Sequence, residues 1–359
     1  MQKKLRAGIV GATGMVGQRF VTLIADHPYF EISALAASAS SAGKPYEEAV
    51  SGRWKLNVPM PECVKKMTVL DASDIEAVKK QVDFVFCAVN LPKAETKALE
   101  EAYAKAEIPV VSNNSANRGV ADVPMLIPEI NDAHTDVIPF QKKRLGTEKG
   151  FIAVKPNCSI QSYVPALTPL LGFGVKEVCV TTLQAISGAG KTFDSFPEIL
   201  DNVIPYIGGE EEKSENEPMK IWGKVGNGVI VNACCPVISA TCTRVPALDG
   251  HLATVAVNFE RKPTEKEIKE AWANYVGEAQ RLELPSAPEK FLTYFEEPDR
   301  PQTRLDRDLY RGMGISVGRL REDRLFDWKF VCLSHNTLRG AAGGAVLSAE
   351  LLYRKGYLY

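Results

Sequence analysis

Apolar and polar positions along the chain alternate between two periods. Residues Leu5–Val10 are almost all apolar, as in a strand covered on both faces, and the run stops at Gly11-Ala12-Thr13-Gly14-Met15-Val16-Gly17. Val16, Phe20, Val21, Leu23 and Ile24 then recur at the spacing of one helix face until His27-Pro28, where proline blocks continuation. The same reading predicts strands over 31–37, 82–89 and 108–112. It also predicts a helix opened by Pro92 and running to Ala106, with Ala94, Ala98, Leu99, Ala102 and Tyr103 on one face. A short apolar run over 151–154 reads as a buried strand that stops at Lys155-Pro156-Asn157. Cys158 then opens an apolar-periodic segment with the pattern of a helix.

Beyond Cys158 the pattern changes. Strands are expected over 175–186, 241–244, 251–260, 315–320 and 325–333. A helix should open at the capping box Thr264-Glu265-Lys266-Glu267. The polar, acidic tract 208–218 and the charged stretch 299–308 read as solvated loops. Residues 158–335 are thus expected to form an antiparallel α+β unit, after a Rossmann-type parallel unit over 1–157. The last segment, from Asn336, should be a helix rich in small residues that is capped by Asn336 and returns to the first unit. The fold class is α/β.

Composition narrows the function. The 359 residues are 45% hydrophobic and 24% charged, with 43 basic and 44 acidic side chains and a net charge of −1. Near-neutral charge gives no footing for nucleic acid or a membrane surface, so anion binding must come from individually placed Arg and Lys. No run approaches the roughly 18 apolar residues of a membrane span, and the apolar stretch after MQKKLR runs directly into a glycine turn rather than a cleavage site. The expectation is a cytoplasmic protein. Its eight cysteines would then be reduced, and its four scattered histidines have no metal-ligand spacing. No metal site is expected.

Strand, G-x-x-G-x-x-G turn, helix and strand together make a mononucleotide-binding unit, in which pyrophosphate rests on the helix N-terminus. An acidic residue about 20 positions past the glycines would favour a ribose 2′-hydroxyl. Residues 36–44 read AASASSAGK, with no acid, so a 2′-phosphate and hence NADP is expected. Arg118 follows the strand over 108–112 and is placed to hold an anion. Cys158 at the first turn of a helix favours a thiolate. His251 follows Arg244 within one turn region and could bring a base and a cation to one pocket; His335, at a strand–helix junction, is its rival.

The stretches GATGMVGQRF, ASASSAGKPY, SNNSANR, KPNCSIQ, LQAISGAGKTF, TRVPALDGH and HNTLRGAAGGAVLSAELL, spread over the whole chain, resemble the aspartate-semialdehyde dehydrogenase family in its archaeal and fungal branch. The resemblance implies NADPH-dependent conversion of L-aspartyl 4-phosphate to L-aspartate 4-semialdehyde, a step in the biosynthesis of lysine, methionine, threonine and isoleucine. It implies Cys158 as the nucleophile that forms an acyl-thioester, His251 as general acid/base and Gln184 as the residue that orients the acyl group. It further implies Arg244 at the α-carboxylate, Glu217 at the α-amino group, and Arg118, Asn117 and Lys220 at phosphate. Gly11, Thr13, Gly14, Met15, Val16, Ser38, Ser41, Gly188 and Asn336 would meet NADP. The family suggests a homodimer or homotetramer.

Four other readings stand beside this one. A paralogous acyl-CoA reductase, such as a malonyl-CoA reductase, would keep the cysteine and nucleotide site, and an N-acetyl-glutamyl-phosphate reductase fits the motifs less well. A non-catalytic NADP-binding sensor would use Cys158 as a redox switch. A papain-like hydrolase would leave the nucleotide unit idle.

Overall fold

The computed structural model of the protein describes residues 3–359; Met1 and Gln2, the first residues of the expected amino-terminal unit, lie outside the described residues. Six strands, β1 (Leu5–Val10), β2 (Phe30–Ala37), β3 (Leu70–Asp71), β4 (Phe84–Cys87), β5 (Val110–Ser112) and β6 (Ile152–Val154), form a sheet in the order β3-β2-β1-β4-β5-β6. All of its pairings are parallel. The helices that matter for the site are α1 (Met15–Ile24) and α2 (Lys93–Lys105). Strand order reverses between β1 and β4, and the crevice beyond their carboxyl ends is where such sheets bind ligands. Gly11 turns the chain there with φ +91°, and a Cβ on it would lie 2.4 Å from the Ala88 carbonyl oxygen, so no other residue fits.

The second sheet contains β7 (Val175–Gln184), β10 (Val237–Arg244), β11 (His251–Phe259), β12 (Leu292–Phe295), β13 (Ile315–Glu322) and β14 (Trp328–Ser334); β8 (Lys224–Gly226) and β9 (Val229–Val231) form a separate hairpin. Its order is β10-β7-β11-β14-β13-β12. The expectation of an antiparallel sheet needs correction. β10 runs parallel to β7 and β12 parallel to β13, which makes the sheet mixed. Residues of one strand carry the same alternation whichever way the neighbour runs, so the direction of pairing is not written in the period.

The acidic tract is not a loop. It forms helix α3 (Glu210–Ile221), opened by Gly209 in the left-handed region and buried along Glu210, Ser214, Pro218, Lys220 and Ile221. Helix α4 (Glu265–Ala273) has its expected capping box: Thr264 Oγ1 accepts from the Glu267 N–H at 3.2 Å, and Glu267 Oε2 accepts from the Thr264 N–H at 2.7 Å.

The last helix, α5 (Gly343–Arg354), follows one wide π-type turn over Leu338–Ala342. It returns to the first sheet as expected and packs Ala345, Val346, Ala349 and Leu352 into a core with Phe20, Ile24 and Val111. Asn336 does not cap it. The His335 ring takes that place, its Nδ1 facing the Thr337 and Leu338 N–H groups at 3.3 and 3.4 Å. Burying Val346, Leu347, Leu351 and Leu352 stabilises the fold by up to roughly 6–12 kcal/mol, at about 1.5–3 kcal/mol each. That is comparable to the whole stability of a typical domain, so the first sheet depends on the end of the chain.

Candidate active site

Three strand ends converge. Gln184 ends β7 and Arg244 ends β10, opposite one another in the parallel register. β11 runs antiparallel to β7 with Leu252 opposite Leu183, which puts His251, its first residue, at the same edge. From the other sheet, β6 stops at Val154 and delivers Cys158. Asn157 shapes the turn: its Oδ1 accepts from the Ser159 N–H at 2.7 Å, and Cys158 opens a short 3-10 turn over Ser159–Gln161. Gly340 packs against Cys158 from the far side; a Cβ there would sit 2.9 Å from Cys158 Cβ.

Cys158 Sγ and His251 Nε2 are 3.5 Å apart. The Ala185 N–H donates to His251 Nδ1 at 3.0 Å, so Nδ1 is an acceptor and the ring proton of the neutral imidazole lies on Nε2, facing sulfur. Burial, with Arg244 nearby, depresses the ring to about 3, although the Gly250 carbonyl favours its charged form. His335, the rival, sits near Asp308 in a separate cluster, where burial depresses it to about 4.

Arg244 is 8% exposed. Its Nη1 donates to the Ala185 carbonyl at 2.7 Å, and its backbone pairs with Ile204 in both directions. A Cβ on Gly188 would lie 3.0 Å from Arg244 Nη1 and 3.1 Å from His251 Nε2, so cation, imidazole and thiol border one small space.

That space opens into a cavity of about 520 Å³. Its walls run from Val16 in the glycine turn, past Asn113–Ala116 and Arg118, to Cys158, Gly188 and Asn336. Lys93, Glu210 and Lys213 also face it. The expected thiolate needs correction. Burial, then Glu210, pushes the Cys158 thiol above the ordinary range, and this outweighs Lys155, Arg118 and Arg244. The short 3-10 turn offers less of a helix dipole than the regular helix expected.

The models for the NAD-binding and dimerisation domains of semialdehyde dehydrogenases match residues 6–138 and 167–339. The aspartate-semialdehyde dehydrogenase of Aspergillus fumigatus is 44% identical over 99% of this chain and 99% of its own length. The archaeal one of Archaeoglobus fulgidus is 43% identical over 97% and 98%. The chain belongs to the aspartate-semialdehyde dehydrogenase family. A crystal structure of the Candida albicans aspartate-semialdehyde dehydrogenase with NADP superimposes with a TM-score of 0.88, at 40% identity, over 99% of this chain and all of that one.

Within this aspartate-semialdehyde dehydrogenase framework, several of the expected side chains are engaged by other parts of the chain. Glu217 Oε1 pairs with Arg118 Nη1 at 3.0 Å, and its Oε2 accepts from the Asn157 N–H at 2.6 Å. Lys220 Nζ donates to the carbonyls of Arg118, Val120 and Val123 at 2.6–2.8 Å, and burial depresses it to about 8. Both residues line a neighbouring cavity of about 600 Å³ beyond Arg118, not the one that holds Cys158. Asn117 is buried and donates to Glu100 at 2.6 Å. Ser41 is buried, while Ser38 stays exposed and meets Ser40 at 3.0 Å. Asn336 accepts from the Gly250 N–H and donates to Ser187 Oγ, both at 2.8 Å.

Two cavity residues were missed. Glu210 Oε1 accepts from Asn157 Nδ2 at 3.0 Å and Lys213 Nζ at 2.8 Å, and its Oε2 lies 3.3 Å from Gln184 Nε2. Burial pushes this carboxyl upward, but Lys213, Asn157 and Gln184 together hold it below its usual range. The tract Glu210–Lys220 contains the spacing Glu-x-x-Lys twice, and the sequence alone does not say which copy faces the thiol.

Proposed function

We propose that this chain catalyses NADPH-dependent reductive dephosphorylation of L-aspartyl 4-phosphate to L-aspartate 4-semialdehyde through an acyl-thioester on Cys158. The observation that carries this reading is the meeting of Cys158, His251 and Arg244 around Gly188, beside a cavity that Cys158, Gly188 and Val16 of the glycine turn all line.

The residues fit the cofactor. Gly11 and Gly14 leave backbone room at the start of α1, and β2 ends in Ala36-Ala37, followed by Ser38, with no carboxylate to repel a 2′-phosphate. NADPH supplies the hydride. The chain does the rest. Cys158 Sγ attacks the acyl carbon as its proton passes to the departing phosphate, the C–O bond to phosphate breaks, and phosphate leaves with that bond's electron pair. Once hydride has been added to the thioester carbon, the C–S bond breaks, sulfur keeps that electron pair and recovers a proton, and the semialdehyde is released. Arg244, with one edge held by Ala185, presents its remaining N–H groups to the α-carboxylate. Arg118, Lys93 and Lys213 border the place for phosphate. Gln184 and the Cys158 N–H face the acyl oxygen. His251 donates its Nε2–H hydrogen bond toward sulfur or the developing oxyanion. To act as a full acid it must exchange the Ala185 N–H for the Gly250 carbonyl and gain a second proton.

Glu210 is our reading for the α-amino site, in place of Glu217. Glu210→Gln should raise KM for the semialdehyde by about tenfold, the loss of one charged hydrogen bond, while Glu217→Gln should act on the phosphate KM through Arg118. The opposite pattern in steady-state kinetics would return the α-amino role to Glu217. The overall reaction is tested by following NADP reduction with aspartate semialdehyde and phosphate; activity with malonyl-CoA and NADPH instead would sink this reading.

The family's dimerisation model supports an oligomer. The open face of the second sheet carries Thr241, Thr181, Thr254 and Val331 in one row and Ser239, Cys179 and Ala256 in the next. A flat face of small residues, edged by Lys329 and Arg321, suits stacking on a second copy, so a homodimer, or a tetramer built from dimers, is our reading. Light scattering of Thr254→Arg should give monomers; an unchanged mass would move the interface elsewhere. No helix among the described residues is long and apolar enough to cross a membrane. A cytoplasmic place is part of the proposal, and recovery of the protein in a sealed membrane fraction would overturn it.

A further inference from the structure

We propose that Glu100 is the positioning residue that holds the anion-binding loop in shape, and that Asn117 serves as its clasp rather than as a phosphate ligand. Glu100 lies on α2 and is completely buried, with no Lys or Arg at ion-pair distance among the described residues. Its carboxylate is instead satisfied by three side chains of one loop. Ser112 Oγ donates to Oε1, Asn114 Nδ2 donates to Oε1 at 3.0 Å, and Asn117 Nδ2 donates to Oε2 at 2.6 Å. These are the loop's entrance, middle and end. Ser112 also accepts from the Asn114 N–H at 3.0 Å, which tightens the same turn.

Between these three anchors lie the residues that face the cavity. Asn113, Asn114, Ser115 and Ala116 line it, and Arg118 follows directly. Arg118 in turn leans on the loop, with Nη2 donating to the Asn113 carbonyl at 3.2 Å. A buried carboxylate accepts only, so it fixes the direction of every donor around it. Here it turns the amides of Asn114 and Asn117 inward, and it sets where the Arg118 guanidinium starts. The buried polar group is expensive unless all of its partners are present, which makes the arrangement all-or-none.

The inference rests on the reading of Arg118 as a phosphate group, and the test separates the two. Steady-state kinetics are run on the full-length enzyme with inorganic phosphate, semialdehyde and NADP. Glu100→Gln puts an amide NH₂ against at least one donor that it cannot accept from. The phosphate KM should rise about tenfold through misplacement of Arg118, with the NADP KM within about twofold of wild type. Asn117→Asp alone, which brings two carboxylates together, should do comparable harm. The reciprocal pair Glu100→Gln with Asn117→Asp restores one donor to one acceptor, and should return the phosphate KM to within about threefold of wild type.

Additive losses in the double variant would mean that Asn117 binds phosphate itself, and would overturn the proposal. So would a wild-type phosphate KM in Glu100→Gln. If Glu100→Gln does not fold, Ser112→Ala decides on the same readout: a phosphate KM raised about threefold supports the clasp and an unchanged one rejects it. Arg118→Leu is run alongside. If it leaves the phosphate KM unchanged, the reading of the phosphate site fails; if only the Glu100 variants do so, the inference alone fails.

Discussion

Replacing Cys158 with alanine should abolish phosphate-dependent reduction of NADP by aspartate semialdehyde, by roughly 10⁴-fold or more, because no other thiol or hydroxyl replaces a covalent nucleophile. NADP should still bind, since the glycine turn belongs to a different element, between β1 and α1. Turnover within an order of magnitude of wild type would reject Cys158 as the acyl carrier. The wild-type enzyme gives a companion result. Burial and Glu210 hold the thiol protonated, and His251, already carrying its proton on Nε2, has no free nitrogen to take another from sulfur. Alkylation of Cys158 by iodoacetamide should therefore accelerate only as pH rises beyond the ordinary thiol range of about 8–9, since the neutral thiol is the poor nucleophile. A rate already level below pH 7 would reveal a preformed thiolate and contradict the electrostatics of this pocket.

Arg244→Lys should lower kcat/KM for the semialdehyde by roughly 10²-fold, because a point charge replaces a planar fork. One edge of the fork is spent on the Ala185 carbonyl. Ala185 also supplies the N–H that fixes the His251 ring, so Arg244 and His251 are anchored to the two sides of a single residue. The lysine should therefore disturb the imidazole as well as carboxylate binding, and kcat should fall together with the rise in KM. A rise in KM alone would confine Arg244 to binding. An unchanged specificity constant would remove it from the site.

Much of the first sheet was legible because its strands are buried on both faces and its glycine turn has one stereochemical use. The second sheet was harder. β10 was visible only over its last residues, since Val237 and Ser239 face outward, and its parallel pairing leaves no mark in the period. Helix α3 was missed because it carries few apolar side chains: it turns Glu210, Ser214 and Lys220 inward to satisfy a polar site, which reads like a solvated face. Cys158, His251, Gln184 and Arg244 were found by motif and brought together by the fold. Glu210 and Lys213, which line the cavity, were not, because the spacing Glu-x-x-Lys occurs twice and the sequence does not say which copy faces it. Asn336 has the right residue type for a helix cap, yet Gly250 and Ser187 bind both ends of its amide.

The return of α5 to the first sheet sets an order of events during synthesis. Gly340 rests on Cys158, and Gly344 on Lys155, whose buried ammonium is depressed to about 7. Every strand of the first sheet leaves the ribosome long before these glycines do. The nascent chain thus carries an incomplete nucleotide fold and an uncovered nucleophile until α5 has emerged.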